Sequence, residues 1–216
     1  MGAEGCARVL SRGAQVLRGA RVLGCLGVLA LGGGGAAVFS QGAVAPVRVF
    51  MQTQLGNIEL EIDTVRAPVT AANFLKYVDA GLYAGGRFHR TVRPDNQATK
   101  PVRIAVIQGA ADETRAKEFF PPIPLERTSV TGLRHVDGAL SMARSAPDSA
   151  THEFFVCVGD QPALDFGGAR NPDGQGFAVF GRVVAGMEVV RRIQMAPAQG
   201  ERLAPPIRIL QASRPR

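Results

Sequence analysis

The sequence predicts a mostly β domain that follows a basic and apolar N-terminal leader. Many short segments rich in strand-forming residues are separated by glycine and proline turns, and only two segments carry apolar residues at helical spacing. Strands and helices show little βαβ alternation. These observations favour a closed antiparallel barrel or a sandwich, and hydrophobic periodicity alone does not choose between the two. The length of 216 residues suits one domain with an appendage.

The first 45 residues differ in composition from the remainder. Four arginines and one glutamate precede an apolar run over residues 22–31 and four glycines over 32–35. This arrangement is typical of a secretory signal peptide. Cleavage is expected after Ser40 or after Ala45, and Pro46 disfavours the second site. An uncleaved membrane anchor is the alternative. The expected domains are a leader over 1–45 and a domain over 46–216 that is exported to the periplasm or the cell exterior.

Removal of the leader changes both the charge and the cysteine content. The net charge of +7 falls to about +4, because 21 basic and 17 acidic residues remain. No lysine or arginine run and no basic-aromatic stripe is present, so we expect no nucleic-acid partner. Cys6 and Cys25 leave with the leader. Cys157 cannot form an internal disulfide alone, and its apolar neighbours predict a buried small hydrophobic residue.

The exported domain begins with a predicted hairpin and helix. Residues 47–54 are rich in strand formers, residues 55–57 provide a turn, and residues 58–62 alternate apolar and acidic side chains. A helical segment then opens at Pro68 or Thr70 and is expected to end at Gly81. Its apolar face consists of Ala71, Phe74, Leu75 and Val78.

The remaining elements follow from the same two periodicities. Strands are expected over residues 87–92, 102–108, 139–142, 153–158, 177–183 and 207–212. A second short helix is expected over residues 188–194, where Val189, Val190 and Ile193 recur at helical spacing. Turn-forming residues and mixed charge predict long loops over 93–100, 111–135 and 165–175.

Five short motifs occur in a fixed order along this domain. They are Phe88-His89-Arg90, Ile107-Gln108-Gly109, Leu140-Ser141-Met142-Ala143, Phe154-Phe155-Val156 and Phe180-Gly181-Arg182-Val183. With the helical segment before them, they resemble the cyclophilin family of peptidyl-prolyl cis-trans isomerases, over residues 47–212. The resemblance implies a closed antiparallel eight-stranded β-barrel capped by two α-helices. It also implies an isomerase that needs no cofactor and acts on proline-containing polypeptide segments.

The resemblance implies a set of site residues as well. Arg90 matches the family's catalytic arginine, and Gln108 matches the glutamine that orients the substrate and the arginine. Phe155 and Leu164 match apolar pocket positions, and Ala143 matches a backbone contact to the peptide. The expected substrate-binding residues are Phe88, Ala105, Val106, Ala143, Glu153, Phe155, Leu164 and Phe177.

Several positions depart from the family pattern. Ala105 and Val106 stand where a phenylalanine and a methionine are usual, and Ala163 replaces a tryptophan. Phe177 aligns with the pocket histidine, and Glu153 replaces a glutamine. We expect Glu153 to form an ion pair with Arg90 and thereby slow the enzyme. The loops over 90–105 and 165–177 are longer than in the commonest members.

The expected chemistry is rotation about a partial double bond whose barrier is about 18–20 kcal/mol. A guanidinium favours the twisted state by donating to the proline nitrogen, while an apolar pocket holds the ring. No nucleophile, metal or cofactor is required. His89, His135 and His152 lack the spacing of metal ligands.

Two functions remain open from the sequence. The first is an exported, monomeric isomerase with no stable membrane insertion after leader removal, which Arg90, Gln108 and Phe155 favour. The second is a non-catalytic barrel that holds extended peptides as a chaperone or assembly partner. The altered pocket at Ala105, Ala163 and Glu153 favours this alternative.

Overall fold

A computed structural model describes residues 46–215 of the chain. The leader, its two cysteines and both cleavage sites therefore lie outside the described residues. The strands are β1 Val47–Thr53, β2 Gly56–Ile62, β3 Arg87–Val92, β4 Val106–Ala110, β5 Ala139–Met142, β6 Phe154–Cys157, β7 Ala178–Ala185, β8 Ala198–Gln199 and β9 Arg202–Ser213. The helices are α1 Pro68–Asp79, α2 Thr128–Thr131 and α3 Met187–Gln194, with short 3-10 helices at Pro94–Asn96, Glu113–Glu118 and Pro162–Leu164.

The strands form the closed antiparallel barrel that the resemblance implies. Their order is β1-β2-β7-β5-β6-β4-β3-β9, and pairing of β1 with β9 closes the ring of eight. The two-residue strand β8 pairs only with β9 and adds a short hairpin to this ring. Closure removes the sheet edges that would otherwise be open to pairing with another chain. The predicted fold is confirmed.

The first hairpin shows how the sequence alternation becomes two faces. Register pairs Val47 with Ile62 and Thr53 with Gly56, so the turn consists of residues 54–55, one position earlier than expected. Ile58, Leu60 and Ile62 are buried in the core, whereas the intervening glutamates are half-buried. The predicted wet face of this hairpin is confirmed.

Helix α1 begins at Pro68, as expected, but its N-terminus is capped from a distant loop. The backbone N–H groups of Val69 and Thr70 donate to the two carboxylate oxygens of Glu126, at 3.1 and 2.7 Å. A carboxylate at this end satisfies free N–H groups and complements the helix dipole. The helix ends at Asp79, and Gly81 follows in the left-handed conformation at φ +65°. It packs against β7 and β9.

Helix α3 buries Val189, Val190 and Ile193, which is the apolar face that the sequence predicts. It packs against β2, β3 and β4. Gly186 precedes it at φ +91°, and a Cβ atom there would lie 2.3 Å from the carbonyl oxygen of Asn57. Only glycine fits this junction, because a side chain is excluded by both the conformation and the close backbone.

An aromatic cluster fills the barrel core. Phe154 contacts Phe74, Tyr83 and Phe88 edge-on, with ring centroids 5.4–5.7 Å apart, and all four are fully buried. Cys157 is also buried, as predicted, and burial raises the pKa of its thiol. Thiolate chemistry is therefore disfavoured at this position.

Two predicted strands begin at residues that differ by four or more positions from the prediction. Strand β4 begins at Val106 rather than at residue 102, because the Gln97 side chain bonds both backbone groups of Ile104. Strand β9 begins at Arg202 rather than at residue 207. Its two prolines fall between the pairs Arg90–Arg202 and Phe88–Ile207, where the ladder is interrupted and needs no N–H donor.

The predicted loop over 111–135 contains short helical turns, at Glu113–Glu118 and Thr128–Thr131. Within residues 46–215, no helix is both long and apolar enough to cross a membrane.

Candidate active site

The strand register brings distant motifs into one row. Arg90 on β3 pairs with Gln108 on β4, which pairs with Phe155 on β6. Paired residues on adjacent antiparallel strands lie with their Cβ atoms about 4.5–5.5 Å apart. Three motifs separated by up to 65 residues therefore contribute one side chain each to a single patch on the barrel surface.

A bulge at His89 decides which residue of the first motif joins this row. Phe88 pairs with Gly109 and Arg90 with Gln108, so His89 has no partner of its own on β4. The extra residue shifts the inside-outside alternation by one position. Phe88 consequently points into the core, and Arg90 points outward.

A cavity of about 600 Å³ lies over this row. It is lined by most of the expected site residues, namely Arg90, Val106, Gln108, Ala143, Glu153, Phe155, Leu164 and Phe177. Its apolar floor is formed by Val106, Phe155 and Leu164, each of which is buried. Such a surface suits a compact apolar ring such as that of proline.

The rings at the floor are held in place by packing. Phe177 meets Phe155 edge-on, with centroids 5.3 Å apart, and His135 lies nearly parallel to Phe155 and edge-on to Phe177. Arg144 covers the Phe177 ring at 5.1 Å, while Asp173 binds its guanidinium through two hydrogen bonds. Phe177, which the resemblance aligns with the family's pocket histidine, lines the cavity.

The guanidinium of Arg90 is held by two acceptors. Its Nη1 donates to Oε1 of Gln108 at 2.8 Å, while Nε and Nη2 both donate to Oε2 of Glu201, at 2.9 and 2.5 Å. The expected ion pair with Glu153 is therefore wrong. Glu201 lies in the turn between β8 and β9, where the Thr91 N–H donates to its backbone oxygen.

Glu153 instead binds the other side of Gln108. Its Oε2 accepts a hydrogen bond from Nε2 of Gln108 at 2.6 Å, and its Oε1 lies 4.0 Å from Nε2 of His89. An amide fixed at its nitrogen must present its oxygen to Arg90. Glu153 therefore orients Gln108, and Gln108 in turn orients Arg90.

We expect Glu201→Gln to reduce the kcat for X-Pro isomerisation by roughly tenfold, because hydrogen bonds to charged groups are each worth about 1.5–3 kcal/mol and fix the guanidinium. Steady-state kinetics on a short X-Pro peptide measures this. Glu59→Gln, which removes a surface partner of Arg48 away from the cavity, is the control. Equal activity of the Glu201 variant and this control would exclude a positioning role.

Two expected substrate-binding residues lie off the cavity. Phe88 is fully buried in the core, because the bulge turns it inward. Successive side chains in an extended segment point to opposite sides. Ile104, Val106 and Gln108 line the cavity, and Ala105 therefore faces away from it. Ile104, not Ala105, supplies apolar surface beside Val106. The structure therefore places neither Phe88 nor Ala105 on the cavity.

Sequence reasoning missed several residues at the site, and five of them position groups or carry charge or apolar surface there. Ile104 was recoverable from alternation with Val106 and Gln108, and Arg144 from its place beside Ala143. Glu201, Lys100 and Arg170 carry no sequence signal, because they reach the site from a turn and two long loops. The tryptophan position at Ala163 does not line the cavity.

His135 is buried behind the floor and is held in one tautomer. Its Nδ1 lies 2.8 Å from Oδ1 of Asp165, and its Nε2 lies 3.0 Å from Oγ of Ser141. A neutral ring that donates from Nδ1 to the carboxylate and accepts from the hydroxyl satisfies both contacts. Burial lowers the pKa of His135 and outweighs the opposing hydrogen bond and charge of Asp165.

The burial of His135 predicts that the free energy of unfolding decreases at acidic pH. In the unfolded chain the pKa of a histidine is about 6.5, so below that pH the unfolded state binds more protons than the folded state. The free energy of unfolding is therefore retained above about pH 6.5 and falls as the pH decreases below it. One histidine contributes at most about 1.4 kcal/mol per pH unit.

Urea unfolding between pH 5 and pH 8 tests this effect, with His135→Gln as the variant that removes the titrating group. The slope below pH 6.5 should be shallower in the variant than in the wild type. Burial also lowers the pKa values of His89 and His152, so part of the slope should remain. Identical slopes would mean that His135 does not titrate between the folded and unfolded states.

The arrangement of the cavity suits rotation about a peptide bond. Among residues 46–215, no three His, Cys, Asp or Glu side chains are grouped to hold a metal ion. Ser141 is fully buried, and its Oγ lies 3.0 Å from Nε2 of His135. What the cavity offers is a fixed cation beside an apolar floor.

Comparisons with known proteins agree with this chemistry. The family profile described as cyclophilin type peptidyl-prolyl cis-trans isomerase/CLD matches residues 48–214. A peptidyl-prolyl cis-trans isomerase of Acinetobacter baylyi is 40% identical over 164 residues, which cover 76% of this chain and 80% of the relative. Peptidyl-prolyl cis-trans isomerase B of Escherichia coli is 35% identical over 147 residues, covering 68% and 83%.

Solved structures show the same fold. The crystal structure of a cyclophilin type peptidyl-prolyl cis-trans isomerase from Cryptosporidium parvum superposes with a TM-score of 0.62 and 20% identity, covering 79% of this chain and 98% of that one. The barrel, the matched profile and the relatives lead to one assignment. The chain is a member of the cyclophilin family of peptidyl-prolyl cis-trans isomerases.

Proposed function

We propose that this isomerase acts at the Arg90 cavity on proline-containing segments of unfolded or folding polypeptides, as an exported monomer. The observation that carries the assignment of the active centre is the 2.8 Å hydrogen bond between Arg90 and Gln108 at the rim of an apolar floor.

Arg90 acts on the twisted imide in this mechanism. As the X-Pro bond rotates, the proline nitrogen loses conjugation and becomes a hydrogen-bond acceptor. The guanidinium has five N–H donors, and three are bound to Gln108 and Glu201. The remaining donors favour the twisted state over either planar form, which is the differential binding that catalysis requires.

Phe155, Leu164 and Val106 hold the proline ring while the preceding residue rotates. All three belong to rigid parts of the fold, β6, a 3-10 helix and β4, so the floor is preorganised. The Ala143 N–H is already bonded to the Glu153 carbonyl, at 2.9 Å, which leaves the Ala143 carbonyl for a substrate backbone. This supports an extended substrate lying along β5.

Refolding of a protein limited by X-Pro isomerisation tests the polypeptide substrate. Uncatalysed, the slow phase lasts tens to hundreds of seconds. Substoichiometric amounts of the domain over residues 46–216 should shorten it. Acceleration with short peptides but not with a refolding chain would reject polypeptide segments as substrates.

Export is proposed from the leader composition over residues 1–45. Mass spectrometry of protein purified from its native source should find an N-terminus between about residues 37 and 46. An intact N-terminus in a membrane-bound product would establish anchoring instead.

A second function, holding of extended peptides, is favoured by the hydrogen bonds that occupy Arg90 and Gln108 before substrate arrives. Suppression of aggregation by an inactive Arg90→Ala variant would establish such activity apart from isomerisation. If the wild-type protein suppresses aggregation and Arg90→Ala does not, the suppression results from catalysis rather than from holding of peptides.

A further inference from the structure

The long-loop end of the cavity carries two cations without a carboxylate partner. Arg170 and Lys100 both line the cavity, and neither is in an ion pair among residues 46–215. The other two lining cations are compensated, since Glu201 binds Arg90 and Asp173 binds Arg144. The uncompensated positive charge is thus confined to residues from the two extended loops.

Arg170 is fixed in position by neutral groups. Its Nη1 donates to Oε1 of Gln97 at 2.9 Å and to the carbonyl oxygen of Val102 at 2.6 Å. These bonds tie the loop after β6 to the loop before β4. A guanidinium has five N–H donors, so those on Nε and Nη2 remain for a ligand.

The surroundings of Arg170 favour the binding of an anion by its guanidinium. Partial burial lowers the pKa of Arg170; the negative charge of Glu201 opposes this shift, and the positive charge of Arg90 adds to it. An anion that binds at Arg170 offsets both the burial and the repulsion by Arg90. The planar fork of a guanidinium matches a carboxylate, and Lys100 adds an exposed second charge to the same wall.

The opposite end of the cavity has the opposite charge. Glu153 lines it there and is bound to neutral Gln108 rather than to a cation at hydrogen-bond distance. Arg170 is bound to Gln97, and Gln97 is bound to the backbone of Ile104. Gln108, which binds Glu153, lies four residues further along the chain, so Glu153 and Arg170 are at different ends of the cavity. A bound segment therefore meets positive charge at one end and negative charge at the other.

We propose that this isomerase prefers proline segments that carry an acidic side chain on the long-loop side of the proline, with Arg170 and Lys100 as specificity-determining residues. The inference rests on the proposed function of the same cavity. It adds a substrate class, namely acidic peptides of one charge direction, to an isomerase site otherwise defined by an apolar floor.

A set of matched peptides tests the proposal. Each peptide contains one X-Pro bond, and the two members of a pair differ only by Glu or Gln at a single position. Four positions are tested in this way: the two residues before the proline and the two residues after it. Both ends are blocked, and one further pair compares a free with an amidated C-terminus to separate side-chain from terminal carboxylates. At one side-chain position, Glu should raise kcat/KM over Gln by roughly three- to tenfold at low salt. Salt of 1 M should reduce this ratio, because it shortens the screening length to about 3 Å.

Three variants assign the preference to its residues. Arg170→Gln and Lys100→Gln should each lower the Glu-to-Gln ratio of kcat/KM, and taking the ratio removes any change that a variant makes to the rate on the Gln peptide. Arg103→Gln removes an exposed cation of the same loop that does not line the cavity, and it should keep the full ratio. Since Arg170 also ties the loops together, Lys100→Gln decides the matter if Arg170→Gln alters the basal rate.

The outcomes separate this inference from the function on which it rests. Isomerisation of the Gln peptides with a ratio near one at every position, or an unchanged ratio in both variants, overturns the acidic preference and leaves the isomerase site intact. A preference confined to the free C-terminus replaces side-chain recognition and also overturns the proposal. Absence of isomerisation with every peptide overturns both.

Discussion

Arg90→Ala is expected to lower the kcat for X-Pro isomerisation by about 10²–10³, which corresponds to about 2.7–4 kcal/mol of lost transition-state stabilisation. The apolar floor remains in the variant, so the KM for peptide should change little. Arg90 is on the barrel surface, with its guanidinium bound to Gln108 and Glu201, and its removal leaves the core untouched. A protease-coupled assay with a short X-Pro peptide measures both constants.

Arg182→Ala is the matched control for this variant. Arg182 is an exposed strand arginine bound to Glu61, as Arg90 is bound to Glu201, but it does not line the cavity. Its replacement should leave kcat unchanged. Unchanged kcat in a folded Arg90→Ala protein would remove this guanidinium from the mechanism.

Phe154→Ala and Phe155→Ala should fail in different ways, although the residues are adjacent. Phe154 points into the core, with edge contacts to Phe74, Tyr83 and Phe88, and its truncation should lower the free energy of unfolding by about 3–5 kcal/mol. Phe155 forms part of the cavity floor. Its truncation should raise the KM for X-Pro peptides as well as destabilise the fold.

Denaturant unfolding and peptide kinetics on both variants separate the two roles. If Phe154→Ala does not fold, Phe154→Leu keeps most of the apolar volume and should show a smaller loss of stability with normal KM. A raised KM for the Phe154 variants with an unchanged KM for Phe155→Ala would contradict the assignment of faces on β6.

Much of the fold follows from alternation that is visible in the chain. Ile58, Leu60 and Ile62 alternate with acids because the barrel buries one face of β2. Closure of the barrel does not follow from periodicity, since β1 meets β9 across about 160 residues of sequence, and the family resemblance implied it. The start of β9 was not predicted, because prolines normally exclude a segment from a strand. In this protein the two prolines lie where the hydrogen-bond ladder between β3 and β9 is interrupted.

The site was predictable where residues share a strand or a motif. Gln108 and Phe155 belong to recognisable segments, and register alone places them beside Arg90. The inward turn of Phe88 depends on a bulge that no sequence period signals. Likewise, the choice of Glu201 over Glu153 as the partner of Arg90 depends on a turn 111 residues away.

Exchange NMR on an X-Pro peptide tests the central claim most directly, because it reports binding and isomerisation in one sample. Without enzyme, cis and trans forms interconvert over tens to hundreds of seconds and give no exchange cross-peaks at sub-second mixing times. The wild-type domain in catalytic amount should produce such cross-peaks, and Arg90→Ala should abolish them while peptide shifts still report binding. Binding by the wild type without cross-peaks would contradict catalysis at this cavity, and cross-peaks of full strength with Arg90→Ala would contradict its dependence on Arg90.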